Sequence, residues 1–192
     1  MVRIQFRHFA DERGIGAVRC LEDAYECPLN DEVETFFKEK ALDFTNRKSS
    51  ITHLVFGESA DDFIAYVTLA HKPLTISAAV MSANQRKRMS RFAKYDPALD
   101  AFTVSAFLIA QIGKNFANKR TKAIRGRMLL DVAFDILRDV QDKIGGQVVF
   151  LECEKGNRKL LDFYSSNGFV VFGERMSEDD GITYLQLFQF LK

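Results

Sequence analysis

Tryptophan is absent from this 192-residue chain, and cysteine, histidine and proline number three each. Cys20, Cys27 and Cys153 form no Cys-x-x-Cys pair and leave an odd count. That argues against a disulfide scaffold and for reduced thiols in a cytoplasmic protein. His8, His53 and His71 have no ligand-like spacing, so no metal site is expected. No apolar run reaches about 18 residues, the least a membrane helix needs, so no membrane partner is expected. The opening Met-Val-Arg-Ile-Gln-Phe-Arg lacks the apolar stretch of a signal peptide. Repeats, low-complexity tracts and linkers are also missing, which leaves one domain over residues 1–192. Excess charge is lacking too: 27 Lys and Arg face 26 Asp and Glu, a net +1. Taken whole, that number speaks against a nucleic-acid partner.

What is present is enough apolar material for a proper core, 47% of residues with 18 Phe. The charge is unevenly distributed. Residues 63–130 hold twelve bases and only two acids, a net +10, against −9 in the rest of the chain. A segment this basic suits an anion such as a phosphorylated cofactor or a nucleic acid. A solvated basic surface remains the plainer alternative.

The elements follow from periodicity. Residues 3–7 alternate as a short first strand. Residues 11–27 are ambiguous and partly helical. Asn30 can cap a helix beginning near Asp31, with the stripe Val33, Phe36, Phe37, Ala41, Leu42 and Phe44. Strands Ile51–Phe56 and Phe63–Leu69 form a hairpin through residues 57–62, and Pro73 ends that unit. A helix is expected over 76–94, at least from Ala78 to Phe92, carrying Arg86, Lys87, Arg88, Arg91 and Lys94. Phe102–Ile112 reads as the fourth strand, ending at Gly113, and Lys114–Ile124 as a polar loop. From Gly126 to Lys143 runs an amphipathic helix, stopped by Gly145-Gly146. Gln147–Glu152 is the fifth strand, Asn157–Ser166 a short helix, and Phe169–Phe172 a strand. A polar loop over 174–181 leads to the last strand, Thr183–Leu191. The order implies a mixed α/β sheet.

Chemistry concentrates where the fourth strand passes through the loop into the helix at Gly126. A basic loop ending at a helix N-terminus aims free N–H groups and the positive dipole end at one place. Gly126 lets backbone approach a ligand. On spacing alone, an ordinary helix start with Gly near its cap stays open.

Gly126-Arg-Met-Leu-Leu130 resembles the second half of the acetyl-CoA loop of GNAT N-acetyltransferases. That loop reads Gln/Arg-x-x-Gly-x-Gly/Ala, then two residues, then a Leu pair. Thr121 stands at the Gln/Arg position, Ile124 at the first Gly and Gly126 at the second. Downstream, Asn157-Arg-Lys-Leu160-Leu-Asp-Phe-Tyr164-Ser-Ser-Asn-Gly168-Phe169 is similar to the family's Asn-x-x-Ala-x-x-Phe-Tyr-x-x-x-Gly-Phe segment, with Leu160 for Ala. More narrowly, the helix from Leu29 to Ala41 and the strand Ile64-Ala-Tyr-Val-Thr-Leu69 resemble the GNATs that act as toxins in toxin–antitoxin systems.

The resemblance implies a GNAT fold, an α/β mixed central sheet splayed between the fourth and fifth strands, with flanking helices. Acetyl-CoA is implied as co-substrate. Its pantetheine would pair with backbone at Ile112, Gly113 and Lys114, where Gly113 suits a bulge. Its pyrophosphate would lie on the N–H groups of Lys122, Ala123, Ile124, Arg125, Gly126 and Arg127. Lys122, Arg125 and Arg127 would add charge. Tyr164 takes the family's acid position, facing the thioester sulfur. Asn157 either orients the cofactor or caps its short helix, the cap being the simpler role.

The implied reaction is attack of an uncharged amine on the thioester carbonyl. Phe102–Ile112 carries no Asp, Glu or His for a general base, so Glu152 and Glu154 are the substitutes. Without a base the acceptor must deprotonate easily. An α-amine has a pKa near 8 and a Lys side chain near 10.4; holding Lys neutral at pH 7 costs roughly 4–5 kcal/mol. The expected acceptor is a primary amine; the toxin-class resemblance implies, as one specific case, the amino group of aminoacyl-tRNA, with Arg86, Lys87, Arg88, Arg91 and Lys94 on its phosphates. An antitoxin and a second copy of the chain are further expected partners. A small amine or protein N-terminus remains an alternative acceptor. So does a non-catalytic module that binds acyl-CoA or nucleic acid.

Overall fold

A computed structural model describes residues 1–59, 62–178 and 181–191. The expected loops over 57–62 and 174–181 therefore lie partly outside the described residues. Eight strands make one mixed sheet in the order β1-β2-β3-β5-β6-β8-β7, with β4 beside β5. β5 and β6 run parallel, through Phe107↔Val149 and Leu108↔Phe150; β1 with β2, β2 with β3, β4 with β5, β6 with β8 and β7 with β8 are antiparallel. By packing, the chain forms two compact units, Met1–Ala70 with Ile109–Ile136, and His71–Leu108 with Leu137–Lys192.

In the first unit, β1 (Val2–Gln5) ends sooner than its alternation suggests. Phe6 instead opens helix α1 (Phe6–Asp23) and stacks on Phe37 at 5.4 Å, fully buried. Gly14, at φ 80°, breaks α1 into two pieces, which is why its period is hard to read. Asn30 caps α2 (Asp31–Thr35), its side chain accepting from the Val33 N–H at 3.1 Å. A π-helical turn, Phe36–Lys40, carries the chain into α3 (Ala41–Asn46). Val33, Phe37 and Ala41 reach the core, whereas Phe44 stays 37% exposed. The core is largely aromatic: Phe6, Phe37, Phe63, Tyr25 and Tyr66 stack or tilt on one another. Each such burial is worth about 1.5–3 kcal/mol.

Two expectations fail around Pro73. β2 (Ile51–Phe56) is as expected, but β3 runs from Phe63 to Ser77, straight through the proline. The β2 ladder stops at Ile51↔Leu69. Beyond it β3 has an open edge, the place where a sheet tolerates a residue without an N–H. The helix expected from Ala78 to Phe92 shrinks to a 3₁₀ turn, Ala78–Val80, and α4 (Ala83–Met89). Ser82 interrupts it by forming a capping box with Gln85.

The second unit adds the two-residue β4 (Tyr95–Asp96), which the sequence did not suggest. β5 spans Ala101–Lys114 and α5 spans Gly126–Ile144. Gly145 and Gly146, at φ 77° and 111°, end α5 in the left-handed region. β6 (Val148–Glu154), α6 (Arg158–Ser166), β7 (Val170–Met176) and β8 (Thr183–Phe190) complete the order. Their core joins Phe102, Val104, Phe150, Phe172 and Phe188 to Met81 and Met89.

Candidate functional site

The loop between β5 and α5 belongs to the first unit and is more ordered than a polar loop need be. Asn118 caps a 3₁₀ turn, Lys119–Ala123, by accepting from the Arg120 N–H at 2.9 Å. Its amide also donates to Asp62 at 2.7 Å and to the Phe63 carbonyl at 3.1 Å. Arg120 donates to the other Asp62 oxygen at 3.0 Å. These bonds, Asn118 foremost, hold the Asp62 carboxyl below the usual range although burial opposes them. Asn115 donates to Phe63 O, and Thr121 to Ile64 O. The loop is thus sewn to the start of β3 by side chains that show no motif in the sequence. Only Asn118, an Asn before a turn, carried a readable signal.

Within that frame the anion-binding features diverge. The Lys114 ammonium donates to the Ile124 carbonyl, closing the loop on itself. Arg127 pairs with Asp131 at 2.9 Å, one turn along α5. Lys122 and Arg125 are exposed and make no ion pair among the described residues. The N–H groups of Arg125 and Gly126 make no backbone hydrogen bond among the described residues, while Met128 N already bonds Arg125 O. Free N–H groups beside two uncommitted cations are what a pyrophosphate needs. No acid stands in the first turn of α5 to oppose one. Ile112 and Lys114 are half-buried and Gly113 is buried. Gly113 has a packing reason of its own. A Cβ there would lie 2.2 Å from Tyr25 Oη, 2.6 Å from Tyr66 Cε1 and 2.7 Å from Val33 Cγ1.

The second unit holds the other candidates. Asn157 is a helix cap, its Oδ1 accepting from Leu160 N at 3.1 Å. Tyr164, on α6, is 9% exposed. Its ring meets Phe169 edge-on at 5.8 Å. No hydrogen bond holds its hydroxyl among the described residues, and that oxygen is not among the sealed unpaired atoms. Burial first, then the neighbouring Cys153, pushes the phenol up to about 12. It is therefore protonated at every physiological pH.

Glu152 does not suit a base. Burial alone would raise its pKa, but Arg175, Gln186 and Lys72 together hold it below the usual carboxylate range. Arg175 grips both its oxygens, at 2.7–3.2 Å, and Gln186 donates at 2.7 Å. A carboxylate held this way takes up a proton poorly.

The basic cluster divides. Arg88 donates to Leu191 O at 3.0 Å and lies 4.4 Å over the Phe190 ring, so it serves the packing. Arg86 reaches Ala78 O at 3.4 Å. Lys87, Arg91 and Lys94 are exposed. Among the described residues no group of His, Cys, Asp and Glu could hold a metal, and no helix is long and apolar enough to cross a membrane.

No family model matches this sequence, and no curated protein sequence matches it. Solved structures do match. AtaT complexed with acetyl-methionyl-tRNAfMet superposes with a TM-score of 0.62 at 13% identity, over 88% of this chain and 86% of that one. AtaTR bound with AcCoA gives 0.60 at 12%, over 99% and 92%. A tyrosine-to-phenylalanine mutant of KacT gives 0.60 at 15%, over 88% and 87%. At these identities the likeness is one of fold: the chain has the GNAT fold in the form seen in AtaT and KacT.

Proposed function

We propose that this protein is an acetyl-CoA-dependent N-acetyltransferase that acts on an α-amine, the amine of aminoacyl-tRNA being the acceptor its surface suits best. The observation that carries the reading is Tyr164. It is a buried phenol with an unpaired hydroxyl, on the helix whose sequence resembles the GNAT acid segment. Similar folds have been solved with AcCoA and with acetyl-methionyl-tRNAfMet, and AtaT and KacT were each studied as a tyrosine-to-phenylalanine mutant.

Bound acetyl-CoA would supply an activated acyl group and a thiolate leaving group. The Arg125 and Gly126 N–H groups, with Lys122 and Arg125 side chains, would hold its phosphates. Backbone at Ile112, Gly113 and Lys114 would line its pantetheine. Tyr164, always protonated, would donate to the departing sulfur. A phenol near 12 is a weak acid beside a thiol near 8.5, so it acts mainly by hydrogen bonding as charge develops. With Glu152 locked and no carboxylate on Phe102–Ile112, Glu154 is the remaining substitute on β6. So little base assistance favours an acceptor that loses its proton easily, an α-amine near pKa 8 rather than a Lys side chain near 10.4. Lys87, Arg91 and Lys94 are the cations left for acceptor phosphates.

Tyr164→Phe tests the reading. Single-turnover acetyl transfer should fall about 10²–10⁴-fold while acetyl-CoA affinity stays unchanged. Undiminished transfer would remove Tyr164 from the chemistry.

A further inference from the structure

The segment between α4 and β5 carries more than charge. Phe92 and Tyr95 are 41% and 42% exposed, three residues apart. Both are held in place. Phe92 stands at 85° to Phe190, 6.2 Å away, and Arg88 lies 4.4 Å over the Phe190 ring. The Tyr95 hydroxyl donates to Asp100 Oδ1 at 2.8 Å, and its ring leans on Phe102 at 5.3 Å. Ordering a ring in advance removes much of the entropy cost of using it in binding. The exposed cations Arg91 and Lys94 alternate with these rings along the chain, and Lys87 precedes them. Asp96 and Asp100 are the local acids. Both are engaged within the segment, Asp96 by the Ala98 and Leu99 N–H groups and Asp100 by Tyr95.

We infer that Phe92 and Tyr95 form a stacking platform for unpaired nucleotides, with Arg91 and Lys94 on the flanking phosphates. This combination of fixed aromatic faces and interleaved cations grips single-stranded nucleic acid with little regard to sequence. A smooth basic surface would hold a duplex through phosphates alone. The platform deepens the RNA half of the proposed function by naming the part of the acceptor that is gripped, an unpaired end. It explains why apolar surface remains exposed between charges on this segment.

The test is binding of a labelled single-stranded RNA of about ten nucleotides, carrying no aminoacyl group, measured against salt. No acetyl-CoA is present, so the result stands whether or not acetyl transfer is found. Phe92→Leu and Tyr95→Leu keep apolar bulk but remove the ring. Each should weaken binding about tenfold with an unchanged slope of affinity against salt. Phe92→Trp should restore it. Arg91→Gln and Lys94→Gln should instead flatten the slope, by about 0.7 per charge. Wild-type affinity in both Leu variants would overturn the inference, and so would equally tight binding of a blunt duplex. Melting temperatures of the variants, read alongside, separate lost stacking from lost folding.

Discussion

At the scale of single residues, environment decides role. Tyr164 and Glu152 both sit where sequence reasoning looked for proton transfer, and their surroundings separate them. The Tyr164 ring is buried and its hydroxyl makes no hydrogen bond among the described residues; the carboxylate is clamped by Arg175 and Gln186. Nothing local in the sequence joins Glu152 to Arg175, 23 positions away. The base was therefore open to assignment until the β6, β7 and β8 ladders were known. His53 shows the same dependence. Burial first, then the charges of Arg3 and His8, pushes it down to about 4. In the unfolded chain a histidine titrates near 6.5. Between those values the unfolded chain binds the extra proton, so the fold loses stability as pH falls from about 6.5 towards 4. Above 6.5 the contribution is complete. Denaturant melts at about pH 7 and pH 5 check this: wild type should lose more stability between them than His53→Gln. Equal losses would contradict it.

At the scale of elements, β5 shows what a pattern can and cannot give. Its length was readable from the run Phe102–Ile112, and Gly113 marked its end as a candidate bulge. The structure adds a steric reason. Gly113 lies against Tyr25, Tyr66 and Val33, where a Cβ would meet atoms at 2.2–2.7 Å. Gly113→Ala should therefore destabilise the protein by about 1–3 kcal/mol, the usual cost of overpacking, seen as a lowered melting temperature. Unchanged melting would mean that the three side chains yield freely. The helices that kept one period were legible: α5 follows Leu129, Ala133 and Ile136, and α6 follows its Asn157 cap. Those whose period stops were read less well: Gly14 splits α1, and Ser82 starts α4 afresh. The helix from Asn30 was legible in its cap and stripe, though not in the π turn between α2 and α3. Pro73 misled because its tolerance depends on which neighbour strand has already ended.

At the scale of the whole molecule, the near-zero net charge hid its organisation. Most basic residues of 63–130 divide among three ends. Arg86, Arg88, Lys114, Arg120 and Arg127 bind protein groups. Lys122 and Arg125 flank the free N–H groups at the start of α5. Lys87, Arg91 and Lys94 remain on the surface beside Phe92 and Tyr95. The sequence located this charge but not its division, because each commitment is a contact between distant segments. The fold itself was legible because two ordered motifs fell on the right elements, although the identity to AtaT is only 13%.

The proposed activity is acetyl transfer to an α-amine by way of Tyr164. The most direct measurement is mass spectrometry after incubation with isotope-labelled acetyl-CoA and two competing acceptor sets. One set holds α-amines, as aminoacyl-tRNA and peptide N-termini. The other holds ε-amines, as α-blocked lysine. At about pH 7 the label should appear on the α-amines, with aminoacyl-tRNA foremost, and should nearly vanish with Tyr164→Phe. Label on no amine, or on lysine as readily as on α-amines, would contradict the account.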